Sequence, residues 1–360
     1  MRKRKTKLPA SSPQTPRRVT LRDIAQEVGV SHVSVSKALR NSPEISEPMR
    51  KRIKLHAEKV GYTPDPMLSA LSHYRLTSKT KPVKSVLAWL NPWSKPEDMR
   101  KQREFSLYWE GALDTAQRMG FLLEEFSSQK TPLKRLEGIF KTRNIQGILI
   151  PPHHDPNRDS ATADFHGFHW QEFASVRFGR TAAYPKTHFV TAAQTSNTIQ
   201  AFNKILKNGY ERIGFVSAIH LTRLFFTGYH MAQLTSKTNQ LKPLFFEQSQ
   251  TQEQQAISLS NWFQTEKPDA IITDLDRLPM LLEKLRIKVP EDVALATTSI
   301  HDTPIDSGID QKPKEIGRAA TRLLITLLNE QQVGIPETCN EVLIQGKWTD
   351  GKMMPPKSRA

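Results

Sequence analysis

The sequence predicts a small all-α domain followed by a larger α/β domain built on parallel sheets. Three observations carry that prediction. Residues 19–62 read as three short helices around a glycine turn. From Val83 onward, short apolar strands alternate with amphipathic helices. The charge is also divided. The 360 residues hold 52 Lys and Arg against 36 Asp and Glu, a net +16. Residues 1–80 contribute 17 basic and 6 acidic side chains, whereas the other 280 residues contribute 35 and 30. A compact basic segment ahead of a nearly balanced body is the electrostatic footprint of a nucleic-acid-binding module.

Length and composition narrow the rest. At roughly 100–200 residues per domain, the chain has room for two or three domains with cores of their own. A single cysteine, Cys339, excludes an intramolecular disulfide framework and a four-cysteine zinc site. No apolar run approaches the roughly 20 residues of a membrane helix, and no apolar segment follows the basic N-terminus as a signal peptide would require. These features predict a soluble, cytoplasmic protein without a membrane partner.

Residues 1–18 hold seven basic residues, three prolines and no acid. They have nothing to pack and read as a disordered basic tail. Thr20 can cap a first helix over 21–28, with Asp23 in the capping-box position and Leu21, Ile24, Ala25 and Val28 on one face. Gly29 permits a sharp turn that Val30 plugs. Ser31 caps a second helix through Leu39, with Val35, Ala38 and Leu39 inward. Ser46 is read as the cap of a third, with Pro48 in its first turn, Gly61 as its stop, and Met49, Ile53, Leu55, His56, Ala57 and Val60 as its inner face. Two helices joined by a short turn containing glycine form a helix-turn-helix, whose second helix enters the major groove.

After Pro64, Asp65 and Pro66 start a helix of about two turns, too short to stand alone in water. In the body, strands are predicted at 85–90, 121–126, 147–150, 212–217, 270–273 and 293–296. Helices are predicted at 109–119, 133–142, 199–207 and 278–285, with a final apolar stripe from Ile316 to Leu328. This rhythm implies parallel sheets with right-handed crossovers, which bind ligands outside the carboxyl ends of their strands.

The run VTLRDIAQEVGVSHVSVSKALRN, then ISEPMRKRI, then GYTP, resembles the headpiece of the LacI/GalR transcriptional regulators over residues 19–75. Looser matches follow in the body: Asn91-Pro92, the run from Gly209 to Gly214, that from Pro268 to Ile271, and that from Val289 to Ala294. They resemble the family's two-lobed, periplasmic-binding-protein-like effector domain. The resemblance implies a headpiece over 19–63, a hinge helix and linker over 64–82, an effector-binding and dimerisation domain over 83–348, and a flexible tail over 349–360. It implies a homodimer on a pseudo-palindromic double-stranded operator, more often repressing, controlled by a small-molecule effector such as a sugar. The segment after Trp348 has no leucine heptad, which predicts a dimer and not a tail-linked tetramer.

On the second helix, His32, Val33 and Lys37 fall at the family's base-reading positions. Lys37 can donate to guanine O6 and N7, His32 can donate to a purine acceptor, and Val33 can meet a thymine methyl. Thr20, Ser31, Ser34, Ser36 and Asn41 complete the DNA-contacting set in the headpiece, with Ser31, Ser34 and Asn41 suited to phosphates. Leu71 falls at the family's wedging leucine in the hinge, where an apolar side chain unstacks a base step. Asp65-Pro66 and Leu68 depart from the family's hinge pattern, and residues 94–105 read as an insertion.

The family's sugar-gripping positions are only partly kept. Its arginine is Phe225 here, with Arg223 two residues away; Leu275 replaces an asparagine beside a retained Asp276; and Ser299-Ile300 replaces the aspartate after the 293–296 strand. The pocket candidates are therefore Trp93, Tyr108, Arg223, Asp276 and Asp310. No nucleophile elbow, phosphate-binding glycine loop, dinucleotide fingerprint or zincin motif is present. His153-His154-Asp155 is the sole metal-like cluster, and Pro151-Pro152 before it reads as a solvated loop. No cofactor is expected. The alternatives are a solute-binding protein without a DNA role, and an enzyme on the same α/β scaffold.

Overall fold

The structure, a computed structural model, describes residues 19–39, 44–62, 85–153, 165–179, 184–219, 222–236 and 239–357. The chain divides into two compact units between Val83 and Lys84.

The first unit contains three helices: α1 (Leu21–Val28), α2 (His32–Leu39) and α3 (Glu47–Lys59). Thr20 and Asp23 form the reciprocal capping box expected of them. Gly29 takes the left-handed conformation, φ 76°, and the N–H groups of Gly29 and Val30 both donate to the Ala25 carbonyl. Ile24, Val28, Val35, Ala38, Ile53 and Ala57 are buried together, so all three helices share one small core. Two expectations fail. Ser46 precedes α3, but its side chain makes no capping bond. Leu55 is 67% exposed, because it falls between Ile53 and Ala57 on the turn that faces solvent.

The second unit holds two parallel-rich sheets of six strands. The first contains β1 (Val86–Asn91), β2 (Leu122–Ser127), β3 (Gly147–Ile150), β4 (Ala174–Phe178), β5 (His188–Ala192) and β11 (Glu341–Ile344), in the order β11-β5-β4-β3-β1-β2. The second contains β6 (Ile213–Ala218), β7 (Leu244–Phe246), β8 (Ala270–Thr273), β9 (Ala294–Thr297), β10 (Gly308–Asp310) and β12 (Lys347–Thr349), in the order β12-β10-β9-β8-β6-β7. Only β12 runs antiparallel among the described pairs. Each sheet places its first strand centrally, sends the next to one side and the third to the other. This leaves a topological switch point at β1/β3 in one lobe and at β6/β8 in the other.

Both faces of each sheet are covered, which is why the strands read as continuous apolar runs. In β1, Leu87 and Trp89 enter one core while Ala88 and Leu90 enter another. The first of these cores lies under α5 (Arg103–Arg118) and α11 (Pro313–Asn329). Gly111 and Gly317 let these two helices approach: a Cβ at either would stand 2.0–2.1 Å from a carbonyl oxygen of the facing helix. α4 (Pro96–Lys101) lies between β1 and α5, so the expected insertion is folded helix. Between β2 and β3 runs α6 (Leu133–Thr142). In the second lobe, α7 (Gln194–Lys207) packs on α8 (Thr222–Thr235), and α9 (Gln252–Glu266) on α10 (Leu278–Lys284).

The C-terminal segment overturns an expectation. Residues 349–357 are docked along the second lobe and are no flexible tail. Met354 is 1% exposed, the Leu295 N–H donates to the Met353 carbonyl at 2.8 Å, and the Tyr210 hydroxyl donates to the Pro355 carbonyl at 2.7 Å. Asp306 accepts from the N–H groups of Lys352 and Met353. Burial alone would raise its pKa, but those bonds hold it below the ordinary value. The reason is chemical: Met353-Met354-Pro355 is apolar enough to be buried, and the edge carbonyls meet donors.

Candidate nucleic-acid interface and effector cleft

The second helix of the headpiece carries the side chains expected to read DNA. His32, Val33, Ser36 and Lys37 fall within one arc of α2, while Val35 and Ala38 are fully buried beneath it. His32 and Val33 are exposed and Ser36 and Lys37 half-buried. Ser31 starts the helix: its hydroxyl accepts from the Ser34 N–H at 3.0 Å and lies 2.9 Å from the Ser34 hydroxyl. Thr20 is occupied locally, since its hydroxyl donates to Asp23. Glu44, which sequence reasoning missed, receives an ion pair from Lys37. His56 on α3 pairs with Glu27 on α1 at 2.7 Å, bracing the helices behind the reading face. Asn41 and Leu71 lie outside the described residues, as do His154 and Asp155. His153 is 2% exposed, so the solvated loop expected there is wrong at that position. No group of metal-ligating side chains is present among the described residues.

Of the cleft candidates, Trp93, Asp276 and Asp310 lie at the carboxyl ends of β1, β8 and β10, whereas Tyr108 is on α5 and Arg223 on α8. At the β1/β3 switch point, Asn91 is fully buried and accepts from the Trp93 N–H at 2.9 Å. Its amide donates to Glu125 and to the Pro96 carbonyl. The Trp93 indole donates to the Pro152 carbonyl at 2.9 Å and packs edge-on against Phe105. Trp93 is 2% exposed and forms part of the core. Tyr108 is also buried, stacked on Phe105 and Phe178. Its hydroxyl donates to Glu104 at 2.8 Å, and burial, with the Glu104 charge behind it, pushes its pKa well up.

At the β6/β8 switch point, Asp274 accepts from the Ser217 hydroxyl at 2.7 Å through one oxygen, while its other oxygen is buried without a partner. Burial raises its pKa to about 6 against the Ser217 bond. Neither residue was singled out in sequence. Leu275, at the family's asparagine position, is buried in the core, and Asp276 is exposed. Asp310 accepts from Lys312 through backbone and side chain and lies 3.3 Å from His301. Burial would raise it, but the Lys312 and His301 bonds keep it low. It therefore braces the passage from β10 into α11. Arg223 belongs to α8, and its side chain lies outside what is described.

The two lobes meet between α5 and the loop after β9. Ser299 donates to Glu104 at 3.0 Å, and Asp302 accepts from the Arg103 and Glu104 N–H groups at 2.6 and 2.9 Å.

Residues 20–65 match the family described as bacterial regulatory proteins, lacI family, and residues 202–347 match a periplasmic binding protein-like domain. The HTH-type transcriptional repressor CytR of Escherichia coli K12 is 26% identical over 339 residues, covering 88% of this chain and 91% of that protein. Among solved structures, the transcriptional regulator CelR in complex with cellobiose is similar with a TM-score of 0.53 at 16% identity, over 93% of this chain and all of that one. The lac repressor dimer bound to operator and the anti-inducer ONPF is similar with a TM-score of 0.52 at 15% identity, over 94% and 100%. At these identities the two structures speak for the fold.

Proposed function

We propose that this chain, whose residues 20–65 match the bacterial regulatory proteins of the lacI family and whose residues 202–347 match a periplasmic binding protein-like domain, represses transcription as a homodimer on a pseudo-palindromic operator. One observation carries this reading: α2, capped by Ser31, holds His32, Val33 and Lys37 on a solvent-facing arc over the buried Val35 and Ala38. A rigid helix with a donor, an imidazole and a methyl-bearing side chain on one face suits the major groove. His32, Val33 and Lys37 read bases, with Ser36 on the same arc; Ser31 and Ser34 lie toward phosphates; Thr20 holds the start of α1 in place beside them. The repressing sign follows the named relative, CytR.

The body takes a small hydroxyl-bearing effector at the carboxyl ends of its strands. The Ser217–Asp274 pair supplies a polar group there. No residue set for catalysis is assigned, and the chain acts by binding alone. Effector binding alters the lobe angle, and the lobe angle decides whether two headpieces can occupy successive half-sites.

Selection of bound sequences from a random duplex pool tests the DNA claim and lets the protein choose its own site. The expected result is an enriched sequence with twofold symmetry and half-sites about one helical turn apart. Recovery of unenriched DNA would overturn it. For the effector, a panel of sugars is screened by thermal shift, since a ligand that binds only the folded state raises the melting temperature.

A further inference from the structure

We propose that Asp302 and Glu104 form an interlobe latch that fixes the angle between the two lobes of the body. This rests on the reading that lobe angle controls DNA binding only for its regulatory consequence, not for the latch itself.

Helix α5 begins without a cap of its own, since the Gln102 side chain makes no capping bond. Its first N–H groups would be orphaned at the positive end of a 16-residue helix. Both are taken by one carboxylate from the other lobe: Asp302 Oδ1 accepts from Arg103 and Oδ2 from Glu104. Asp302 reaches them from the left-handed region, φ 59°, which Asp adopts more readily than most side-chain-bearing residues. An N-cap belongs ordinarily to the residues just before its helix; here it is supplied from 199 positions along the chain, across the lobe boundary.

A second contact doubles the first. The Glu104 carboxylate is anchored within its own lobe by Tyr108, a buried ring stacked between Phe105 and Phe178. Its other oxygen accepts from Ser299 in the opposite lobe. Burial raises the Glu104 carboxyl above its ordinary value, opposed by the Tyr108 and Ser299 bonds and the nearby His301, and reinforced by the Asp302 charge. A carboxylate so placed is poorly solvated and depends on those partners. The position at which the family's aspartate would stand on the second lobe is thus Ser299, and the carboxylate there comes from the first lobe. Opening the lobes would take the capping carboxylate from the α5 terminus and the Ser299 partner from Glu104 together.

The test is energy transfer between dyes in the two lobes. Lys130→Cys, after β2, and Gln248→Cys, after β7, are labelled in the full chain carrying Cys339→Ser. Asp302→Ala and Ser299→Ala are each expected to lower the transfer efficiency, with far-UV circular dichroism unchanged. Asp302→Asn, which keeps one acceptor, should restore part of the loss. Unchanged efficiency in both alanine variants overturns the latch. A fall in efficiency with no change in operator affinity leaves the latch standing and overturns the reading that lobe angle controls DNA binding.

Discussion

Asp274 illustrates how a single side chain acquires a character that its neighbours in sequence do not announce. One carboxylate oxygen accepts from Ser217 and the other is buried alone, so burial raises the pKa from 3.8 to about 6. The folded chain therefore holds this proton more tightly than the unfolded chain. Its stabilising effect is complete below pH 4 and is lost as pH rises through 6. The shift amounts to about 3 kcal/mol at neutral pH. Asp274→Asn should raise stability by up to that amount at pH 7.5 and leave it unchanged at pH 4, as read from urea unfolding midpoints. Greater destabilisation at neutral pH than at pH 4 would contradict this. At the proposed reading face, Lys37 is paired with Glu44 and would have to leave it to reach a base. Exposed pairs are worth about 0–1 kcal/mol, so Glu44→Gln should tighten operator binding up to about fivefold at fixed salt, measured by anisotropy. Thr20 and Asp23 were legible because a capping box lies within four residues. Asp274 was not, because its partner Ser217 is 57 positions away.

At the scale of elements, the C-terminal segment contributes to the second lobe's core. Met354 is buried with Ile213, Phe215 and Tyr210, and the backbone around it ties to Leu295 and Asn208. Met354→Ala should lower the stability of the body by about 2–5 kcal/mol, since a buried side chain of that size leaves a cavity. Urea unfolding of the two proteins reads the difference, and equal midpoints would show that the segment only rests on the surface. Elements with a strong period were readable in advance: residues 147–150, 133–142 and 270–273 were placed correctly to the residue, and the Ile316–Leu328 stripe lies inside α11. Others were passed over for physical reasons. The apolar stripe of α9 is diluted by polar side chains in its first and last turns, including Gln255, which is buried only because Arg277 and the Gln250 carbonyl satisfy it. In β4, Ser175 and Arg177 interrupt the apolar run, and Arg177 is buried over Phe189, donating to the Thr187 carbonyl. α4 was hidden because Pro96 and the charged Glu97-Asp98 start a helix too short for a periodic signal.

At the scale of the whole molecule, the proposed ligand chemistry belongs to two sheets of the same strand order and the proposed DNA chemistry to a separate three-helix unit. The concentration of basic charge in residues 1–80 pointed to the second role and said nothing of the first. The resemblance in the headpiece was dense because local capping and turn residues are fixed in spacing. In the body it was loose, because parallel sheets tolerate any apolar side chain and the interlobe contacts of Glu104, Ser299 and Asp302 join distant segments. The sharpest test that α2 reads sequence compares the full chain with Lys37→Ala on the selected operator, on single-base variants of it, and on random duplex, across a range of salt. The unaltered chain is expected to prefer its operator to random duplex by about 10³-fold or more. Lys37→Ala should lose about 1–3 kcal/mol of discrimination at one base pair in each half-site, while binding to random duplex changes little. An equal loss on every sequence would show that Lys37 contacts only phosphate and that the reading face lies elsewhere.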